Sequence, residues 1–107
     1  MHEYVPIRLL YFRRRFAMTL QNSELSILID DYTLAAIIPM KDGAETVTVR
    51  VTKEALTRLG FTSGDAKAFC EPKREYFRAI ADAKYAGRDV IIYERDIQRD
   101  QSLHPRN

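Results

Sequence analysis

The stretch Asp42-Gly43-Ala44-Glu45-Thr46-Val47-Thr48-Val49-Arg50-Val51-Thr52-Lys53-Glu54-Ala55-Leu56 holds, in fifteen residues, a turn, a strand and the opening of a helix. Asp-Gly supplies the positive φ angles of a tight hairpin turn, with glycine adopting them at no steric cost. After it Val47, Val49 and Val51 alternate with Thr46, Thr48 and Arg50. That period of two describes a half-buried antiparallel strand with one wet face. At Thr52 the period changes. A threonine there caps a helix, Glu54 sits near the positive end of its dipole, and Ala55, Leu56 and Leu59 form its apolar stripe. Gly60 is its stop.

Working upstream, Thr33 begins a second strand over residues 33–38, and Pro39, lacking an N–H, ends it. Asp30-Asp31 makes a turn, and Leu25, Ile27 and Ile29 share one face of a first strand. Downstream, residues 61–64 read as a loop. Ser63 or Asp65 then caps a longer helix in which Ala66, Phe69, Cys70, Phe77, Ile80 and Ala81 recur at helical spacing. Pro72 interrupts that helix, which kinks or restarts there because proline removes a backbone bond and clashes with the preceding turn. Gly87 ends it, and residues 90–93 form the closing strand. The expected fold is α+β: a small, mostly antiparallel sheet of about four strands, with two helices on one face and the order β-β-β-α-α-β. Val47, Val49 and Val51 should meet Leu56, Phe69, Phe77 and Ile80 in the core.

The run Val49-Arg50-Val51-Thr52-Lys53-Glu54-Ala55-Leu56, followed by Phe69, Ile80-Ala81, Val90-Ile91-Ile92 and Asp96, resembles a small bacterial family, domain of unknown function fourteen eighty-eight. The resemblance covers roughly residues 18–96; Pro72 and the chain before residue 18 depart from the pattern. It implies a few strands, a short helix led by Ser/Thr-x-Glu-Ala-Leu, a longer helix and a closing strand. The family has no established activity, so the resemblance implies no catalytic residue and no cofactor.

The chain has 107 residues, 46% hydrophobic and 30% charged. That is the size of one domain, apolar enough to form a core rather than remain disordered. No apolar run approaches the roughly 18–20 residues that cross a bilayer, so no membrane partner is expected. The expected organisation is a basic and aromatic N-terminal arm over residues 1–17, one α+β domain over 18–96, and a disordered polar tail over 97–107. Seventeen basic residues against fifteen acidic ones leave a charge of only +2. The first fifteen residues, however, hold Arg8, Arg13, Arg14 and Arg15 against Glu3 alone. One cysteine forms no internal disulfide and fits a reducing compartment, so the expected setting is the cytoplasm.

Candidate chemistry is sparse. His2 and His104 lie near the two ends, so no general base is placed beside a nucleophile. One cysteine and two terminal histidines do not make a four-ligand soft-metal cage. Cys70 lies on the apolar stripe and reads as a small buried hydrophobe. Asp30-Asp31 reads as turn chemistry, and Asp89, Glu94 and Asp96 as edge protection. Lys67, Arg74 and Arg78 alternate with Glu71, Glu75 and Asp82 at spacings of three and four, giving pairs such as Lys67–Glu71 and Arg78–Asp82 on a solvated helix face. The residues singled out for binding are Arg8, Tyr11, Phe12, Arg13, Arg14 and Arg15, because arginine among aromatics suits phosphates and stacked bases. The expected function is a non-enzymatic domain, without cofactor or metal, acting through protein contacts with an unknown partner or as a homodimer. The alternative is weak, nonspecific nucleic-acid binding through the arm, with dissociation constants of about 10⁻⁴ to 10⁻⁶ M.

The face assignment of the valine strand is directly testable. Val49→Asp should unfold or aggregate the domain, since an unpaired core charge costs several kcal/mol, as much as a small domain's whole stability. Thr48→Asp, on the opposite face, should cost far less. Denaturant midpoints of the two variants compare them, and equal midpoints would refute the assignment.

Overall fold

Gly43 (φ +65°) occupies the first central position of a two-residue turn, the place a type II′ hairpin reserves for glycine. On either side run β3 (Ala36–Asp42) and β4 (Glu45–Val51), antiparallel over seven rungs from Ala36↔Val51 to Asp42↔Glu45. The structure is a computed structural model and describes residues 19–103. Two short strands, β1 (Gln21–Asn22) and β2 (Leu28–Ile29), add antiparallel to the outer side of β3. On the other side β5 (Val90–Ile92) adds to β4 in parallel. The class is α+β, but the sheet has five strands and is mixed. The parallel pairing follows from the connection: the chain leaves β4 through a helical layer, which carries it back to run β5 alongside in the same direction.

That layer holds α1 (Lys53–Arg58), α2 (Ala66–Cys70), a single 3₁₀ turn (Glu71–Lys73) and α3 (Arg74–Lys84). Thr52 caps α1 by accepting from the Ala55 N–H, and Asp65 caps α2 by accepting from Ala68. The helix breaks at Pro72, and the 3₁₀ turn bridges the missing bond before α3 resumes. The valine face is buried as expected, with Leu56 and Phe77 packed against it, while Phe69 and Ile80 sit at its margin.

Four expectations are corrected. The strand assigned to Leu25, Ile27 and Ile29 shrinks to two residues. The strand assigned to residues 33–38 starts only at Ala36, because 30–35 is a tight turn. Within it the Asp30 carbonyl accepts from Leu34 N–H, the Asp30 carboxylate accepts from Tyr32 N–H, and Leu34 is forced to φ +62°. Nor does Pro39 end β3. The Thr48 N–H turns away from β3 to Asp89, so Pro39↔Thr48 is a non-hydrogen-bonded pair and the Pro39 nitrogen faces the opposite edge. There β1 ends at Met40 and β2 begins at Ile37, so no ladder bond is demanded of it. Finally, residues 97–103 are not a tail: α4 (Glu94–Leu103) continues through them and buries Ile97 completely, while residues 104–107 lie outside the described residues. Asp96 reaches back to the Tyr93 N–H at 2.8 Å, half of a capping box. Among the described side chains of this helix, Ile97 is the one that is buried.

The charged face of α3 is not simply solvated. Asp82 accepts from the backbone N–H groups of both Thr19 and Leu20. Arg78, 8% exposed, donates to the Leu20 carbonyl and is held by Glu75 at 2.8 Å. Arg74, held by Glu71, donates to the carbonyls of Ser23 and Leu25. A row of alternating charges along the helix therefore grips the main chain of residues 19–25.

Removing the central member of that grip should be costly. Arg78→Ala leaves the buried Leu20 carbonyl without its donor, a loss of about 1–3 kcal/mol. Thermal denaturation should show a midpoint lower by several degrees, whereas Arg88→Ala, at an exposed site, should stay within about 0.5 kcal/mol of the parent.

Candidate interaction face

Alternation along the strands sends Ile38, Met40, Val47, Val49, Val51, Val90 and Ile92 into the core, where α1, α3 and α4 cover them. The intervening residues form the other face of the sheet. Registers across four strands place Leu28 beside Ile37, Ile37 beside Arg50, and Arg50 beside Ile91. These four residues make one transverse row. Leu28 is 61% exposed and Ile91 39%, with Ile37 half-buried between them. Pro39 and Thr48 form a second, half-buried row, and Lys41 and Thr46 an exposed third.

Arg50 is the one charge in the first row, and it is already engaged. Its guanidinium lies 2.9 Å from Asp30 and also donates to the Thr33 hydroxyl. The arginine and the N–H groups of Tyr32 and Thr33 hold the Asp30 carboxyl down to about 2. Asp30 is thus the turn former expected from the sequence and also the neutralising partner of the sheet face.

The free edge of β5 is closed. The Ile92 carbonyl accepts from Thr52 N–H on the β4 side, so the Ile91 carbonyl points outward, where Lys84 Nζ donates to it at 2.7 Å. Lys84 also pairs with Asp96 and lies over the Tyr93 ring. A lysine on an edge carbonyl blocks strand addition.

A groove of about 530 Å³ lies between the 30–35 turn and the α1–α2 loop, floored by Ile29, Leu34, Leu56 and Phe61. Asp65 on its rim is committed to capping α2, which leaves no free helix terminus for an anion.

Of the residues singled out from the sequence, Arg8, Tyr11, Phe12, Arg13, Arg14 and Arg15 lie outside the described residues, as does the arm they define. Burial pushes the Cys70 thiol up to about 11, so it packs as a hydrophobe and is poorly nucleophilic at neutral pH. Asp89 and Asp96 serve different partners, Thr48 N–H and the Lys84–Tyr93 pair. Among the described residues no three His, Cys, Asp or Glu side chains gather as metal ligands, and no helix is long and apolar enough to cross a membrane. The row Leu28, Ile37, Arg50 and Ile91 was not singled out from the sequence. Its signal is there in Ala36-Ile37-Ile38 and Val90-Ile91-Ile92, strands apolar at both parities in a sheet with helices on one side.

The Asp30–Arg50 pair carries a pH dependence of definite sign. The folded pKa lies below the usual 3.8, so the carboxylate stabilises the fold above that value and the contribution disappears as pH falls toward 2. Urea midpoints of the parent and of Asp30→Asn should differ most near pH 7 and converge near pH 2; a gap that is constant with pH would refute the assignment. Comparisons of the chain with protein-family models, with curated proteins and with solved structures found no match.

Proposed function

We propose that this chain is a non-enzymatic protein-contact domain that works through the open face of its sheet. One observation carries the reading: a transverse row on the face opposite the helices holds aliphatic side chains on three of its four strands, with Arg50 neutralised by Asp30 on the fourth, and the outermost two, Leu28 and Ile91, are exposed. Exposed aliphatic side chains grouped on one face of a small domain are a mark of an interaction surface. The electrostatics agree with a protein partner. Residues 19–103 carry twelve basic and fourteen acidic side chains, and Arg50 on the face is neutralised by Asp30. A phosphate backbone would find no track of free cations there. The sealed β5 edge favours contact through the face over strand addition.

Site-specific photocrosslinking tests the reading. A benzophenone side chain placed at Leu28 or Ile91 in the full chain, in living cells, should yield protein adducts. The same group at Glu54 or Thr62, exposed on the helical side, should yield none. Adducts from the helical side alone, or equally from both sides, would overturn the proposal.

A further inference from the structure

We infer that Asp42–Gly43, at the tip of the β3–β4 hairpin, is a site of spontaneous aspartate isomerisation, and that the Tyr85 hydroxyl is the latch that keeps it closed in the folded protein. The chemistry has three requirements. The Gly43 nitrogen must be available to attack Cγ of Asp42, nothing must crowd that nitrogen, and the Asp42 side chain must be free to turn toward it. The first two are met. Gly43 is exposed, and its N–H meets no acceptor among the described residues. A Cβ built on it would touch nothing beyond its chain neighbours within 4 Å, and glycine itself brings no side chain to hinder the attack. In the reaction the Gly43 nitrogen bonds to Cγ and gives up its proton, the carboxyl gives up its hydroxyl, and one water leaves as a five-membered succinimide closes. Water then adds back to the ring. Addition at the former main-chain carbonyl of residue 42 breaks its bond to the nitrogen and leaves isoaspartate, with no net change in mass.

The third requirement is where the fold intervenes. Asp42 has the parity of Ile38 and Met40, so its side chain points toward the helical layer. There Tyr85, the residue that follows α3, donates its hydroxyl to Oδ2 at 2.7 Å. Tyr85 packs against the core and its N–H is bonded to the Asp82 carbonyl, so the donor does not follow the carboxylate when that side chain turns. The Asp42↔Glu45 rung holds the main chain beside it. The two partners stand 43 residues apart in the chain, so the latch exists only in the folded protein. Isomerisation therefore waits on a local opening of the hairpin tip, which gives up one rung and one side-chain bond, rather than on unfolding of the domain. The product changes the tip. The main chain then runs through Cβ and Cγ of residue 42, a free carboxylate stands on its Cα, and the last rung and the Tyr85 bond are lost together.

Isomer formation is followed in the full-length protein held at neutral pH over weeks. Peptide mapping with electron-transfer fragmentation tells isoaspartate from aspartate at position 42, and the succinimide shows as the loss of one water. Tyr85→Phe keeps the ring and removes the latch. It should raise the rate roughly three- to tenfold, the factor that corresponds to the net contribution of one hydrogen bond. Arg78→Ala is the control, because it weakens the whole fold without touching the hairpin tip, and its rate should equal the parent's. Circular dichroism shows that both variants stay folded during the incubation. The parent unfolded in urea sets the unlatched rate and should exceed all three. Equal rates in the parent and Tyr85→Phe would overturn the latch. An Arg78→Ala rate raised as far as that of Tyr85→Phe would overturn it too, since global unfolding would then be the gate. A folded parent that converts as fast as the unfolded chain would show that the fold closes nothing. Absence of isoaspartate at position 42 in Tyr85→Phe, over a period in which the unfolded chain converts, would overturn the site itself.

Discussion

The pairing of β3 with β4 is the constraint on which the rest of the molecule depends. Seven rungs fixed by a glycine turn decide which side chains face the helices and which face outward. The other strands are two or three residues long, too short to hold a position by themselves, and each takes its register from this hairpin. A slip of one residue would turn Val47, Val49 and Val51 to the open face and put Thr48 and Arg50 under the helices. The core and the transverse row are thus two outcomes of one register.

The second organising element is α3. Its apolar side buries Phe77 and Ala81 against the sheet, while its charged side holds the segment that leads into β1. The segment between β1 and β2 leaves the sheet, and its carbonyls at Ser23 and Leu25 are met by Arg74 instead of by a neighbouring strand. Charge along this helix takes over the role that a longer edge strand would otherwise fill. On the opposite edge Lys84, from the end of the same helix, performs a similar service for β5. One helix therefore holds both margins of the sheet.

What could be read in the sequence follows the range of the interactions. The hairpin, the Thr52 cap and the Asp65 cap rest on residues within a few positions of each other; the caps stand where the sequence puts them, and the hairpin turns one residue later, on Gly43-Ala44, with Asp42 paired in β3. The core valines and Phe77 were legible from periodicity. The charges on α3 have two sets of partners, and the sequence exposes only one. Spacing pairs Arg78 with Asp82 and Lys67 with Glu71, but the ion pairs form as Arg78 with Glu75 and Arg74 with Glu71, and nothing local shows the Leu20 carbonyl, fifty-eight residues from Arg78. Pro39 misled because a proline tolerated in mid-strand depends on a gap between β1 and β2 that exists only in the assembled sheet. The polar residues around Ile97 hid a docked helix for a similar reason. The outward row combines residues from four strands, and its meaning appears only when those strands are side by side.

Because α3 holds residues 19–25 by their main chain, what the fold protects there, apart from the buried Leu20, is spacing rather than identity. Exposed Gln21 and Glu24 can drift in sequence, since the carbonyls and N–H groups being held belong to every amino acid except for the missing proline N–H. An inserted or deleted residue is a different matter. It moves Leu20 off its buried seat whenever Ser23 and Leu25 stay on Arg74, or lifts both carbonyls from the arginine when Leu20 stays. Divergent versions of this domain should accordingly vary at the exposed positions of this segment while keeping Leu20 apolar and the segment's length constant.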